Sequence, residues 1–186
     1  MLLWYTDEQI LWFQDCSIFF VGVFDMELQQ LFTMQKALDT YIQTEKNISH
    51  DVFLEKGLAL LVELAELANE TRCFKFWSAK GASDKETILE EYVDSVHFLL
   101  SLGIEKQLDD LDRWPVEEKA GSLTHLFLNT HASIQQFLQD PTRPLYEDVW
   151  KWYGAIGSSL GFTHLQIVQA YIDKNEKNYE RQRSGY

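Results

Sequence analysis

The sequence predicts an all-α protein, a helical bundle of about five to six helices. Three observations carry that expectation. Apolar residues recur at helical spacing through most of the chain after Met26. Leu, Glu, Gln and Ala are abundant beside only three prolines and nine glycines, a composition that favours helix. No segment alternates apolar and polar residues over a strand's length. A chain that is 46% hydrophobic and 24% charged can bury a core, and 186 residues predict one domain.

The chain opens on a stretch unlike the rest. Ile10 to Phe24 is almost wholly apolar, interrupted by Gln14, Asp15 and Ser17. It is shorter than the roughly 20 apolar residues a membrane span needs. It also lacks the basic start of a secretory signal, since the first Lys or Arg is Lys36. Residues 1 to 25 are therefore expected to be an N-terminal extension, dispensable or ahead of a true start at Met26, with residues 26 to 186 forming the single domain. A start at Met26 would remove Asp7, Glu8, Asp15 and Asp25 and no base, so the net charge would change from −13 to −9.

The first helix is expected from about Glu27 to Lys46, with an acid at its N-terminus to complement the helix dipole. Ser49 is the expected cap of a second, long and apolar, reaching about Arg72. Ser83-Asp84-Lys85-Glu86 reads as a capping box, so a third helix starts there, and Gly103 is its expected stop. Trp114-Pro115 is expected to open a fourth, from about Val116 to Gln139, closed by the segment from Pro141 to Pro144. A shorter helix follows from Leu145 to about Tyr153. Thr163 caps the last, reaching about Gln182.

Charge and cysteine content narrow the function. With 29 acids against 16 bases the chain should repel nucleic acid and anionic membranes, and an anionic ligand would need a cation or a local basic patch. Cys16 and Cys73 offer neither a pairing framework nor metal spacing, which fits a reducing, cytoplasmic setting.

The most informative stretch is Leu58 to Ala68, where nine of eleven residues are apolar and the exceptions are Glu63 and Glu66. A helix apolar nearly all round is normally buried, so both acids are expected inside, three apart on one face. No Lys or Arg stands a turn away. The third helix repeats the pattern with Glu91 and Asp94. Two such helices packed antiparallel would converge four carboxylates, which must protonate or meet a cation. An all-oxygen set suits Mg²⁺, or Mn²⁺, rather than zinc. A di-iron bundle is the nearest rival, but it uses Glu-x-x-His on two helices, and only Asp94-x-x-His97 approximates that here.

Glu63-x-x-Glu66, then 24 residues, then Glu91-x-x-Asp94 resembles the metal motif of the all-α nucleoside triphosphate pyrophosphatases. The surrounding text is narrower: Glu66-Leu-Ala-Asn-Glu-Thr-Arg-Cys-Phe-Lys-Phe-Trp77, the stretch from Asp94 to Gly103, and the tail from Tyr171 to Gln182 are similar to the dimeric all-α dUTPases. The resemblance spans roughly Met26 to Tyr186. It implies a bundle with a four-helix metal-binding core, a homodimer, and Mg²⁺-dependent hydrolysis of dUTP to dUMP and pyrophosphate. Glu63, Glu66, Glu91 and Asp94 match the metal ligands, and Glu63 or Glu66 would orient or deprotonate the attacking water. Lys174, Asn178 and Arg181 lie on one face of the last helix and would hold the phosphates, although Lys and Arg there also complement the negative helix end.

For the nucleoside, the resemblance points to Gln35 as a uracil contact, Trp77 as an apolar wall and His97 near the sugar. Trp77 is equally compatible with a core position, and His97 with a buried orienting role. Two other readings compete with dUTP hydrolysis. One is a relative with the same metal chemistry and another base, such as a dCTP or MazG-type house-cleaning enzyme; the other is a non-catalytic helical adaptor.

Overall fold

The computed structural model describes residues 28–185, so the expectations for residues 1 to 25 lie outside the described residues. Six helices run in order: α1 (Leu28–Glu45), α2 (Phe53–Thr71), α3 (Lys85–Glu105), α4 (Leu123–Gln139), α5 (Arg143–Ser159) and α6 (His164–Arg183). No strand occurs among the described residues. No helix among them is long and apolar enough to cross a membrane.

The helix boundaries follow local chemistry, with four departures from expectation. Ser49 does not cap α2; Asp51 does the equivalent work two residues before Phe53, whose N–H donates to its carboxylate at 2.8 Å. The α3 cap is Asp84, which accepts from the Thr87 N–H at 2.8 Å. Ser83 is diverted because its hydroxyl donates to the Glu70 carboxylate and its N–H to the Glu70 carbonyl, which folds the 72–84 loop back on α2. The helix expected from Val116 begins instead at Leu123, capped by Ser122, because Gly121 takes a φ of 147° that no helix continues through. Thr163 and Gln166 do form a reciprocal capping box at α6.

The fourth departure is instructive. Gly103 lies inside α3 rather than ending it, and Gly157 likewise lies inside α5, which outruns its expected end. Their role is close approach. A Cβ on Gly103 would collide with the Tyr146 ring and hydroxyl, and one on Gly157 would stand 2.8 Å from the Tyr92 hydroxyl. Tyr146 donates to the Leu99 carbonyl at 2.9 Å, and Tyr92 to the Tyr153 carbonyl at 2.9 Å. Each ring therefore lies over a glycine four residues beyond the carbonyl it bonds. Gly103→Ala gains helix propensity of about 1 kcal/mol but forces a fully buried tyrosine aside. The expected net loss is about 1–3 kcal/mol, read from the urea midpoint; an unchanged or higher midpoint would remove this account of the glycine.

Helix α3 is central, packing on α1, α2 and α6, while α4 and α5 pair with each other and α4 rests on α2. Much of the core is aromatic: Tyr92, Tyr146, Trp150, Tyr153 and Phe137 are fully buried. Trp114 closes it from the irregular 106–122 connection, its indole N–H donating to the Trp150 carbonyl at 2.9 Å. Helix α2 is not buried all round. Leu60, Leu64 and Leu67 face inward, whereas Leu54, Leu58 and Val62 are 68%, 63% and 46% exposed. Its apolar run thus serves two faces, one on α3 and α4 and one turned outward.

Candidate metal centre and its cavity

Glu63 and Glu66 project from α2 toward Glu91 on α3, and one carboxylate oxygen from each lies within 4.8 Å of the others. Glu66 is exposed and the other two are partly buried, so the cluster lies near the surface rather than in the interior expected from the sequence. Burial, followed by the charges of Asp94, Glu66 and Glu91, pushes the Glu63 carboxyl up to about 7. Burial and the neighbouring acids raise Glu91 as well. Three convergent acids with no cation among them fit a hard divalent ion through oxygen ligands.

Asp94, one turn along α3 from Glu91, is engaged differently. Lys174 of α6 reaches it at 2.5 Å and Glu90 at 3.0 Å. Burial works against the Lys174 charge, but its bonds to Asp94 and Glu90 outweigh this and hold its pKa above the ordinary lysine value. Burial raises Asp94 against the pull of Lys174. The structure therefore gathers three of the four expected carboxylates and gives the fourth a lysine. The absent partner of the sequence reading exists, 80 residues away on another helix.

A cavity of about 420 Å³ runs inward from Glu63 and Asp94 between α1, α2, α3 and α6. Lys174, Asn178 and Arg181 line it from α6, one turn apart as their spacing requires. Gln35 and His97 line its deeper part, both buried. The Gln35 amide oxygen accepts from the Tyr171 hydroxyl at 2.9 Å and meets His97 Nδ1 at 2.7 Å. His97 stacks on Tyr171, with ring centroids 4.1 Å apart. Burial, with the positive charge of Lys174, pushes its imidazole down to about 3, so it is neutral at physiological pH.

Trp77 is not brought to this cavity. It stands 65% exposed on the 72–84 loop, with edge contacts to Phe74 and Phe76. Conversely, Lys56 of α2, which belongs to none of the sequence motifs above, lines the cavity. It lies at 2.9 Å from Asp39 and 2.5 Å from Glu105, on the cavity wall opposite α6. A signal existed: Lys56 is seven residues before Glu63, two turns along the same helix face.

The raised Glu63 carboxyl has a pH consequence. Below about 7 it holds a proton that a bound cation must displace, so divalent-ion affinity is expected to rise with pH through about 7. Calorimetric titration at pH 6 in buffers of different ionisation enthalpy should show proton release; none at pH 6 would contradict the raised value.

Glu63 with its acidic neighbours, and Lys174 and Arg181 on α6, make an arrangement suited in charge to a divalent ion and a polyphosphate. A family model described as dUTPase, the all-α dUTPase family, matches residues 27–186. The chain belongs to that family, whose members generally use a divalent metal, and its activity is hydrolysis of dUTP to dUMP and pyrophosphate. No curated protein matches the chain significantly.

Proposed function

We propose that the chain hydrolyses dUTP with Mg²⁺, or Mn²⁺, held by Glu63, Glu66 and Glu91, and by Asp94 once Lys174 turns from it to the substrate. The observation that carries this reading is the three-carboxylate cluster whose member Glu63 lines the same cavity as Lys174, Asn178 and Arg181. A divalent ion held by these carboxylates would supply charge to neutralise the phosphates and would make water more acidic there. Lys174, Asn178 and Arg181 bind and orient the phosphate chain, two as cations and one through its amide. Glu63 or Glu66 takes the proton of the attacking water. Gln35 and His97 hold the nucleoside deeper in the cavity, where neutral His97 can bond without adding charge. Trp77 has no part in this reading.

The working form is a homodimer in the cytoplasm, and the outward stripe of Leu54, Leu58 and Val62 is apolar surface available for pairing. A substrate panel tests the chemistry: pyrophosphate should be released from dUTP with Mg²⁺ and not after chelation. Release independent of divalent ions would overturn the metal assignment. Equal release from dCTP or dTTP would overturn the assignment of the cavity to uracil recognition.

A further inference from the structure

Asp39 alone fixes the orientation of the Gln35 amide, because the groups at its other end, a tyrosine hydroxyl and an imidazole, can each donate or accept. Asp39, one turn along α1, presents Oδ1 at 2.7 Å to one end of the amide. A carboxylate oxygen can only accept, so that end is Nε2. The other end, Oε1, takes the Tyr171 hydroxyl at 2.9 Å and lies 2.7 Å from His97 Nδ1. With Nε2 fixed at Asp39, the His97 tautomer with a proton on Nδ1 donates to Oε1, and the Tyr171 hydroxyl, 3.3 Å from the Leu31 carbonyl as well, takes the second lone pair at the shorter distance. What the amide has left for the cavity it lines is the second Nε2 hydrogen, a donor, and no acceptor.

Asp39 is itself fixed. Its Oδ2 accepts from Lys56 Nζ at 2.9 Å and from the Ser101 hydroxyl, and Lys56 is anchored in turn by Glu105 at 2.5 Å. Three helices thus converge on one carboxylate: α1 supplies it, α2 the lysine, and α3 the serine and the second acid. The Asp39 and Lys56 side chains are only 12% and 14% exposed, so the arrangement is enclosed and not a solvated surface pair.

We propose that Asp39, locked by Lys56 and Ser101, is a specificity-determining positioning residue that sets the Gln35 amide to offer a hydrogen to the base. This rests on the reading above that the cavity takes the nucleoside. A base with a carbonyl at that edge accepts the hydrogen; a base with an exocyclic amine there sets donor against donor. The site selects uracil over cytosine through a residue that touches neither. In Asp39→Asn, Lys56 draws the new side-chain oxygen to itself and turns the new amide nitrogen toward Gln35, which favours the flipped glutamine and an acceptor at the base.

The test is steady-state kinetics with dUTP and dCTP on Asp39→Asn, Ser101→Ala and Gln35→Ala. Asp39→Asn should lower the dUTP-to-dCTP ratio of kcat/KM by about tenfold or more, with the dUTP loss mainly in KM. Ser101→Ala, which removes one of the two donors to Oδ2, should lower the ratio in the same direction by less, and it decides the matter if Asp39→Asn does not fold. An unchanged ratio in the folded variants, or a dUTP loss wholly in kcat, overturns the proposal. An unchanged KM for dUTP in Gln35→Ala would instead sink the placement of the nucleoside. A raised KM there, with the ratio intact in Asp39→Asn, sinks only the role of Asp39.

Discussion

Glu63→Gln is expected to abolish dUTP turnover while making the metal-free protein more stable. Removing one carboxylate from a three-acid cluster strips an ion ligand, and with it several kcal/mol of charge stabilisation in the transition state. That corresponds to a loss of about a thousandfold or more in kcat. The stability change has the opposite sign because the acid costs free energy when ionised. Its folded pKa of about 7 stands above the unfolded value of 4.5, so the native state binds the extra proton between them. Wild-type stability therefore loses a contribution as pH rises from 4.5 through 7. Glutamine carries no such term, so the variant's advantage is absent near pH 4.5, grows through that window and is complete above pH 7. Thermal melts in chelator at pH 5 and pH 8 measure it. A variant that melts lower than wild type at pH 8 would make Glu63 a structural residue.

Lys174→Met should have the second largest effect, and on stability it runs the other way. Lys174 is almost enclosed and is the cation that Asp94 and Glu90 share, so its loss leaves a partly buried carboxylate without its counter-charge. Breaking such a pair by removing one partner is expected to cost about 2 kcal/mol in the metal-free protein. A divalent ion should recover much of it, since the freed Asp94 joins the neighbouring acids as a ligand. The rise in melting temperature on adding Mg²⁺ should accordingly be larger in the variant than in wild type. Equal rises would mean that lysine and ion do not compete for Asp94. Turnover should also fall, through loss of a phosphate contact.

These two residues show what the sequence could carry and what it could not. The helices were legible because capping and periodicity are local: Thr163 and Gln166 sit three residues apart and act on each other. The cluster was legible in the same way, since Glu63 and Glu66 share a helix face by spacing alone. Contacts between distant helices were not. Lys174 answers Asp94 across 80 residues, and Lys56 answers Glu105 across 49, so neither pairing leaves a mark within one turn of chain. Ser83 failed as a cap for the same reason, because Glu70 on the preceding helix captured its hydroxyl. The apolar run of α2 misled in a further respect. Periodicity shows how much of a helix is apolar, not how many of its faces the rest of the chain covers, and Leu54 and Leu58 are left outside.

The paired tyrosines bear on how the cavity can move. Tyr92 and Gly103 are eleven residues apart on α3, as are Tyr146 and Gly157 on α5, and each tyrosine meets the other helix's glycine. The two helices are thus antiparallel and keyed to each other by a near-twofold exchange, with both keys cut to the same length. Sliding either helix by one residue, about 1.5 Å, would unseat both rings and strand two buried hydroxyls at once. The wall that carries Glu91 and Asp94 is in that sense a fixed bearing. The ion pairs of Lys56 with Glu105 and of Lys174 with Asp94 tie α2 and α6 to that wall, and any movement of those helices against it would have to break them.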